Sequence, residues 1–530
     1  MLRLRERTIV YASAGTLLIA FGGMVCGQGN QLDTCDQVTP SKVVRFDGDQ
    51  VVRAQIENND QLQLMLDLSP DVWSHGVGIG EVDFRIPADQ LDQLKASGIE
   101  YEVLIPDVQR LVDAEQEQLK VQTPVWFDNY KRLGEVNDYL VSLVAMRPDL
   151  AEMINLGDSY QGRAIMGIHI TGSGGAPDKA GVFLNGCQHA REWVTVMTTT
   201  YIADRLIQDY DSDPVIKDMV DNHDFYIVPI VNPDGYEYTW TTNRLWRKNR
   251  HPGGGVDLNR NWSVGWGGPG SSGSNGSEIY RGTAPFSEPE TQAVRDFVMA
   301  HPNILYHNDI HSYSQLILQP WGFTRELAPD HAVLDAMGQA MKDAVFAVHG
   351  MTYQHGPIFT TIYPASGVCS DWFYGARDAF SVSYELRDRG QYGFLLPADQ
   401  IVPTAEEAFA GIEAEVSTVV ERRMKLDLME PMVWGGTLHL RTSRSTPGGE
   451  VSFFYTLVGI SNPPGTFIPS LNVTLDLRKA KLIETANADA AGIAEVFRIL
   501  PTRSTLTRVF FQSAEFERVS NWVYDDIPAN

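Results

Sequence analysis

Between residues 50 and 106 the spacing of apolar positions changes four times. QVVRAQI and EVDFRIP alternate with the period of two that a half-buried strand requires, NDQLQLMLDL and ADQLDQLKAS repeat at helical spacing, and YEVLIP returns to a strand pattern. The order strand, helix, strand, helix, strand predicts a small α+β domain of the ferredoxin-like kind over residues 45–110. A polar stretch, DAEQEQLKVQ, then reads as part of a linker spanning 111–123. From 124 to 425 short apolar runs at 180–185 (AGVFLN), 304–310 and 380–384 are spaced by longer amphipathic segments such as REWVTVMTTTYIADRL. That texture predicts an α/β domain, a mixed central sheet flanked by helices, because strands covered on both faces lose their alternation. Ser287 with Glu290 and Thr404 with Glu407 have the spacing of capping boxes and predict helix starts. Beyond residue 430, GGTLHLRT, EVSFFYTLV, NVTLDL, AEVFRIL and RVFFQSA are short strand-like runs separated by Gly, Pro and Ser, which predicts a C-terminal β-sandwich over 430–530. No internal repeat stands out.

The chemistry collects where the apolar runs end. His189 and Glu192 follow AGVFLN in NGCQHAREW, His311 ends the run at 304–310, and Glu385 ends the run at 380–384. Open α/β sheets place their sites at the carboxyl ends of strands. Two imidazoles and a carboxylate form an open zinc site with a coordination position left for water, and a second carboxylate nearby can move that water's protons. The set reads as a hydrolase. Taken alone, the H-x-x-E pair is weak, since a capping Glu beside a surface His has the same spacing.

The chain resembles the zinc carboxypeptidases of the pancreatic A and B type through HARE, TNRLWRK, VDLNRNW, IHSYSQ, IYPASG and YELRD, in the family's order, over residues 45–425. The resemblance implies His189, Glu192 and His311 as ligands of one Zn2+, and Glu385 as the general base acting on zinc-bound water, whose pKa such a site lowers to about 7. It further implies Asp257 as the carboxylate behind His189, Arg247 as the stabiliser of the oxyanion, and Asn259, Arg260 and Tyr363 as the grip on a substrate's terminal carboxylate. Arg191 would contact the substrate one position further in. Ser370 lies where the family sets pocket specificity; a neutral floor offers a cationic side chain no partner and predicts neutral, apolar or aromatic C-terminal residues. Asp309 has the option of placing a negative charge near the pocket wall. Arg244, Lys248 and Arg250 read as a solvated basic loop. The family's non-proline cis bonds map to Ser312–Tyr313, Pro320–Trp321 and Arg387–Asp388.

The region 45–110, ending GIEYEVLIPDVQ, resembles the family's activation segment, which implies a propeptide covering the site until an activating protease cuts near 113–122. A permanent accessory domain is the alternative. The expected substrates are peptides or proteins with a free C-terminal carboxylate. Two other functions stay open: a non-catalytic relative that keeps the fold as a binding module, against which the retention of Glu385 argues, and an amidohydrolase acting on cell-wall peptides or acylated amino acids, against which Asn259, Arg260 and Tyr363 argue.

Composition narrows the setting. The chain has 530 residues, 43% of them hydrophobic, and a formal net charge of −25. Nucleic acid is excluded as a partner, since binding phosphates needs concentrated Lys and Arg. Arg3, Arg5 and Arg7 precede a mainly apolar stretch at 9–25, which predicts an export signal over 1–27 and a secreted protein, extracellular or periplasmic, with no stable membrane partner once the signal is removed. An uncleaved anchor, or a lipid on Cys26 behind a poor attachment box, are the alternatives. The chain has 4 cysteines, too few for a disulfide framework. Cys187 and Cys369 are free buried thiols or a single bridge.

Overall fold

The computed structural model describes residues 43–74, 78–175 and 179–418, together with strand segments between 425 and 527. The expected signal at 1–27, with Cys26, lies outside the described residues. No helix among the described residues is long and apolar enough to cross a membrane.

The first unit runs β1 (Gln50–Ile56), α1 (Asn59–Leu68), β2 (Gly80–Ile86), α2 (Leu91–Ser97), β3 (Tyr101–Ile105) and α3 (Val108–Leu119). Local chemistry sets the helix ends: the Asn58 side chain accepts from the Gln61 amide at the start of α1, and Gly98 ends α2 in the left-handed conformation at φ 74. The alternating residues Val52, Ala54 and Ile56 of β1 and Phe84 and Ile86 of β2 pack on Met65, Leu68 and Leu94. The sheet is antiparallel, ordered β2-β1-β3. The ferredoxin-like expectation asks for a fourth strand; in its place the connection from α1 to β2 makes one bridge, Val72 to Phe84, flanked by the Arg85 amide on the Asp71 carbonyl at 3.0 Å and the Trp73 amide on the Asp83 carbonyl at 2.8 Å. The expected linker is helical as far as Leu119, because Val108 and Val112 pack against Leu245, Phe394 and Leu395.

The central unit adds α4 (Leu133–Met146), β4 (Ala151–Asp158), β5 (Ala164–Ile170), β6 (Ala180–Gly186), α5 (Trp193–Gln208), α6 (Pro214–Asn222), β7 (His223–Val228) and α7 (Pro233–Thr241). It continues with α8 (Pro289–Ala300), β8 (Ile304–Ser312), β9 (Leu316–Gln319), α9 (His331–His349), β10 (Gln354–Pro357), α10 (Ile358–Thr361), α11 (Cys369–Arg377), β11 (Phe380–Leu386) and α12 (Ile401–Ser417). The mixed sheet has 8 strands ordered β10-β9-β11-β8-β6-β7-β5-β4. Its middle is parallel, and β6, β8 and β11 lie side by side with Asn185 opposite Asp309 and His311 opposite Glu385. One face packs on α4, α5, α9 and α12, the other on α8 and α11. The apolar runs are therefore buried on both sides, as their lack of alternation requires.

Neither capping box forms. Helix α8 starts at Pro289, and Glu290 turns inward to accept from the amide of Tyr160 at 3.0 Å and from Asn249 at 3.1 Å. Helix α12 starts at Ile401, so Thr404 lies inside it and bonds the Gln400 carbonyl, while Glu407 pairs with Arg387. In both places a tertiary partner takes the carboxylate that a cap would use.

The C-terminal strands are β12 (Lys425–Leu428), β13 (Thr437–Ser443), β14 (Glu450–Thr456), β15 (Thr466–Ile468), β16 (Val473–Leu475), β17 (Lys481–Asn487), β18 (Ala494–Ile499), β19 (Thr507–Glu515) and β20 (Arg518–Ile527). They form antiparallel sheets β12-β13-β18 and β17-β14-β19-β20 and a β15-β16 pair. Leu438, Leu440 and Val496 of the first sheet share an apolar cluster with Val451, Phe453, Val509 and Phe511 of the second. This region starts at Lys425, ahead of the expected boundary at 430.

Candidate active site

Strand β6 delivers the chain to a turn at residues 187–192. Cys187 adopts a left-handed conformation at φ 55 and its amide is held by the Thr195 hydroxyl at 3.1 Å, which reverses the backbone before α5. His189 and Glu192 project from this turn, and His311 reaches the same point from the end of β8. The Nδ1 atoms of His189 and His311 lie 2.8 and 3.0 Å from the two oxygens of Glu192. All three residues are buried, and one donor atom from each falls within 4.8 Å of the others. Burial would raise the Glu192 carboxyl, but the two imidazoles hold it well below the usual range. A pair of imidazole nitrogens and a carboxylate converging in the interior is a donor set that suits zinc.

The surrounding groups fix these donors. Asp257 accepts from His189 Nε2 at 3.1 Å and, through its other oxygen, from Arg247 Nη2 at 2.9 Å. Despite burial, Arg247 and His189 keep its carboxyl well below the ordinary value. Asn259 sits one turn on, with its Oδ1 accepting from the Cys369 amide at 2.8 Å and its Nδ2 3.0 Å from His311 Nε2. Arg260 is oriented by the carbonyls of Gly270 at 2.8 Å and Asn259 at 2.7 Å. Gly367 makes that corner possible: at φ 75, an added Cβ would stand 2.5 Å from the Arg260 carbonyl.

Glu385 is buried opposite His311, and burial, with Glu192 and Asp309 adding to it, pushes its carboxyl well up against the pull of His311. Tyr363, Arg260 and Glu385 lie within electrostatic reach of one another, and the Tyr363 hydroxyl is buried without a hydrogen-bond partner. Ser370, in the first turn of α11, is fully buried with its hydroxyl likewise unpartnered. The three expected cis bonds, Ser312–Tyr313, Pro320–Trp321 and Arg387–Asp388, are all present.

Of the two readings open for Cys187 and Cys369, the structure has buried free thiols, with no bridge between them. Other expectations are corrected. Asp309 does not face a pocket wall: its oxygens accept from Asn185 at 2.7 Å, Gln188 at 2.8 Å and His311 Nε2 at 2.8 Å. Arg244 and Lys248 are not solvated. Arg244 pairs with Glu115 of α3 at 2.6 Å with its guanidinium 3.7 Å from the Trp193 ring centre, and Lys248 donates to the Ser277 carbonyl at 2.8 Å. Arg250 stacks on Tyr238 at 3.6 Å.

The first unit contributes residues that the sequence did not signal. Asp71 accepts from Arg191 Nη1 at 2.8 Å, and the Val72 carbonyl takes Nη2 at 2.8 Å. Asp83 takes the Tyr313 hydroxyl at 3.1 Å. Trp73 packs between Tyr313 and Phe394, with ring centres 6.5 and 5.0 Å away. The next residue, Ser74, lines both a cleft of about 480 Å³ that reaches Tyr363 and one of about 500 Å³ that reaches Arg247.

Residues 136–411 match the zinc carboxypeptidase family model, and residues 52–115 match that of the carboxypeptidase activation peptide. The chain belongs to the zinc carboxypeptidase family. This carboxypeptidase is 39% identical to carboxypeptidase A1 of Rattus norvegicus over 390 residues, covering 69% of this chain and 93% of the relative. Carboxypeptidase A2 of the same organism is 37% identical over a stretch of 390 residues, again 69% and 93% of the two chains. Among solved structures, thrombin activatable fibrinolysis inhibitor superposes with a TM-score of 0.65 at 31% identity, over 70% of this chain and 98% of that one. Carboxypeptidase A from Helicoverpa armigera superposes with a TM-score of 0.63 at 31% identity, with coverages of 70% and 98%. The carboxypeptidase is thus a zinc metalloprotease made as a zymogen, with one zinc ion as its cofactor and the unit beginning at β1 as its activation peptide. The C-terminal strands lie beyond both family matches.

Proposed function

We propose that this carboxypeptidase removes single residues from the carboxyl ends of peptides and proteins, with a preference for neutral apolar or aromatic ends. The observation that carries the reading is the convergence of His189, Glu192 and His311 beside Glu385 in a buried pocket. His189 Nδ1, Glu192 and His311 Nδ1 would hold the zinc ion, which when bound acidifies water and polarises the scissile carbonyl.

The protein's own groups do the rest. Asn259 and Arg260 grip the terminal carboxylate with an amide and a planar guanidinium, and the unpartnered Tyr363 hydroxyl closes on it. Glu385 accepts a proton from the attacking water and returns one to the departing amine; burial raises its carboxyl above the ordinary value, the direction that strengthens a general base. Arg247, braced by Asp257, faces the charge that develops on the carbonyl oxygen. Asp257 holds the His189 ring. Arg191 receives the residue further in once Asp71 has left.

Specificity follows from what the pocket lacks. Ser370 supplies a neutral floor, Asp309 has both oxygens engaged, and the adjoining Asp371 accepts from the Gly322 amide, so neither acid is offered to a cationic side chain. The activation peptide blocks Arg191 and Tyr313, so a protease must cut near 113–122 before long substrates enter. Export through the 1–27 signal completes the proposal, with action outside the cell or in a periplasm. An amidohydrolase would have no use for a grip on a plain terminal carboxylate.

The test is hydrolysis of blocked dipeptides with varied last residues, with and without a zinc chelator. Faster release of Phe or Leu than of Lys or Arg, abolished by chelation and restored by zinc, is expected. A preference for Lys or Arg would overturn the specificity, and chelator-resistant activity would overturn the zinc chemistry.

A further inference from the structure

Asp309 is a buried charge within hydrogen-bond reach of a proposed zinc ligand, and a built chain of side chains holds it there. The chain starts at Ser381, whose hydroxyl lies 2.7 Å from His307 Nδ1. Burial lowers the His307 pKa to about 3, so the ring is neutral. The Asp309 carboxylate can only accept, so Asn185 turns its Nδ2 to it at 2.7 Å and its Oδ1 to His307 Nε2 at 2.8 Å. His307 Nε2 therefore carries the ring proton, and Nδ1 accepts from Ser381. Gln188 is fixed in the same way: its Oε1 takes the Trp262 indole at 3.1 Å, so its Nε2 is left for Asp309 at 2.8 Å. Two amide donors thus point at a carboxylate whose remaining neighbour is His311 Nε2 at 2.8 Å.

Two groups compete for that ring nitrogen. The Asn259 amide, a donor, lies 3.0 Å away, and the Asp309 carboxylate, an acceptor, lies 2.8 Å away. The charged and shorter bond wins, because a hydrogen bond to an ionised acceptor is about twice as strong as a neutral one. His311 therefore keeps a proton on Nε2, and Nδ1, on the Glu192 side, is the nitrogen that would face the zinc ion. The same arrangement stands across the site, where Asp257 takes His189 Nε2 at 3.1 Å.

We propose that Asp309 is a positioning residue for the zinc site, a second carboxylate that fixes the tautomer and ring angle of His311 as Asp257 does for His189. This rests on the reading of His189, Glu192 and His311 as the ligands. A ligand histidine whose other nitrogen is held by a carboxylate is a stronger base toward metal, and removing such a partner weakens affinity about 10- to 100-fold.

The test is competition between the full-length protein and a chelator for zinc, at fixed pH. Asp309→Asn is expected to bind zinc about 10- to 100-fold more weakly than wild type. Zinc should also raise its melting temperature less than it raises that of wild type, whereas a merely structural role would lower the metal-free and zinc-loaded values together. Asn185→Ser withdraws one donor from Asp309 but leaves the carboxylate, and a smaller loss of affinity in the same direction is expected. If Asp309→Asn does not fold, Asn185→Ser carries the test alone. Zinc affinity within about twofold of wild type in the folded variant overturns the inference. A wild-type protein that takes up no zinc would instead overturn the ligand assignment.

Discussion

The carboxylate of Asp71 lies 2.8 Å from the guanidinium of Arg191, and its second oxygen lies 2.5 Å from Arg85. Asp71 belongs to the activation peptide and Arg191 to the turn that carries His189 and Glu192. Burial would raise the Asp71 carboxyl, yet Arg85 and Arg191 together lower it. A carboxyl depressed on folding contributes its stability above the ordinary value of 3.8 and loses it as pH falls through the lower folded value. The contact therefore persists at any physiological pH, and only removal of the peptide frees Arg191. Asp71→Asn in the uncut chain is expected to raise kcat/KM on blocked dipeptides about tenfold, which corresponds to ~1.4 kcal/mol for one charged hydrogen bond. Equal rates for the uncut variant and uncut wild type would show that Asp71 does not hold the peptide in place.

The neutral pocket floor proposed at Ser370 gives a second prediction. Ser370 is neutral and buried, and Asp309 is fully engaged elsewhere. Cleaved wild type should favour Phe or Leu over Lys or Arg by about tenfold or more, since an unpaired buried ammonium is costly. Ser370→Asp should reverse the ranking. An unchanged ranking in kcat/KM would mean that position 370 does not face the substrate side chain.

Buried acid on the far side of the sheet predicts a pH response. Glu415 on α12 is fully buried, its one described donor is Asn308 at 3.0 Å, and burial pushes its carboxyl up to about 8. A carboxyl raised on folding contributes most below its ordinary value of 4.5 and loses that contribution as pH rises toward about 8. The loss approaches about 5 kcal/mol. Melting temperature should fall between pH 5 and 9, and fall less in Glu415→Gln, a neutral analogue of the protonated acid. Parallel curves for the two proteins would contradict the assignment.

What was legible in the sequence was what is local. His189 and Glu192 share one turn, and His311 and Glu385 end apolar runs, so a parallel sheet had only to place β8 beside β11 to join them. Contacts between distant segments left no such pattern. Asp71, Asp83 and Glu115 read as ordinary acids of a polar domain, and Arg244 and Lys248 as a charged loop, because burial of a charge depends on a partner supplied from elsewhere in the chain. The capping boxes failed for the same reason: Glu290 and Glu407 had stronger calls on them from Asn249 and Arg387. Strand β17 carries no strand signal in the sequence, because KLIETAN is mostly exposed and shows little alternation.

In the proposed mechanism Glu385 moves the protons of a zinc-dependent attack on the last peptide bond. Glu385→Gln, freed of its activation peptide and assayed on a blocked dipeptide ending in Phe alongside a measurement of bound zinc, tests it most directly. One zinc per chain in both proteins and a kcat lower by about 10²- to 10⁴-fold in the variant are expected. A zinc-loaded variant that keeps wild-type kcat would contradict it.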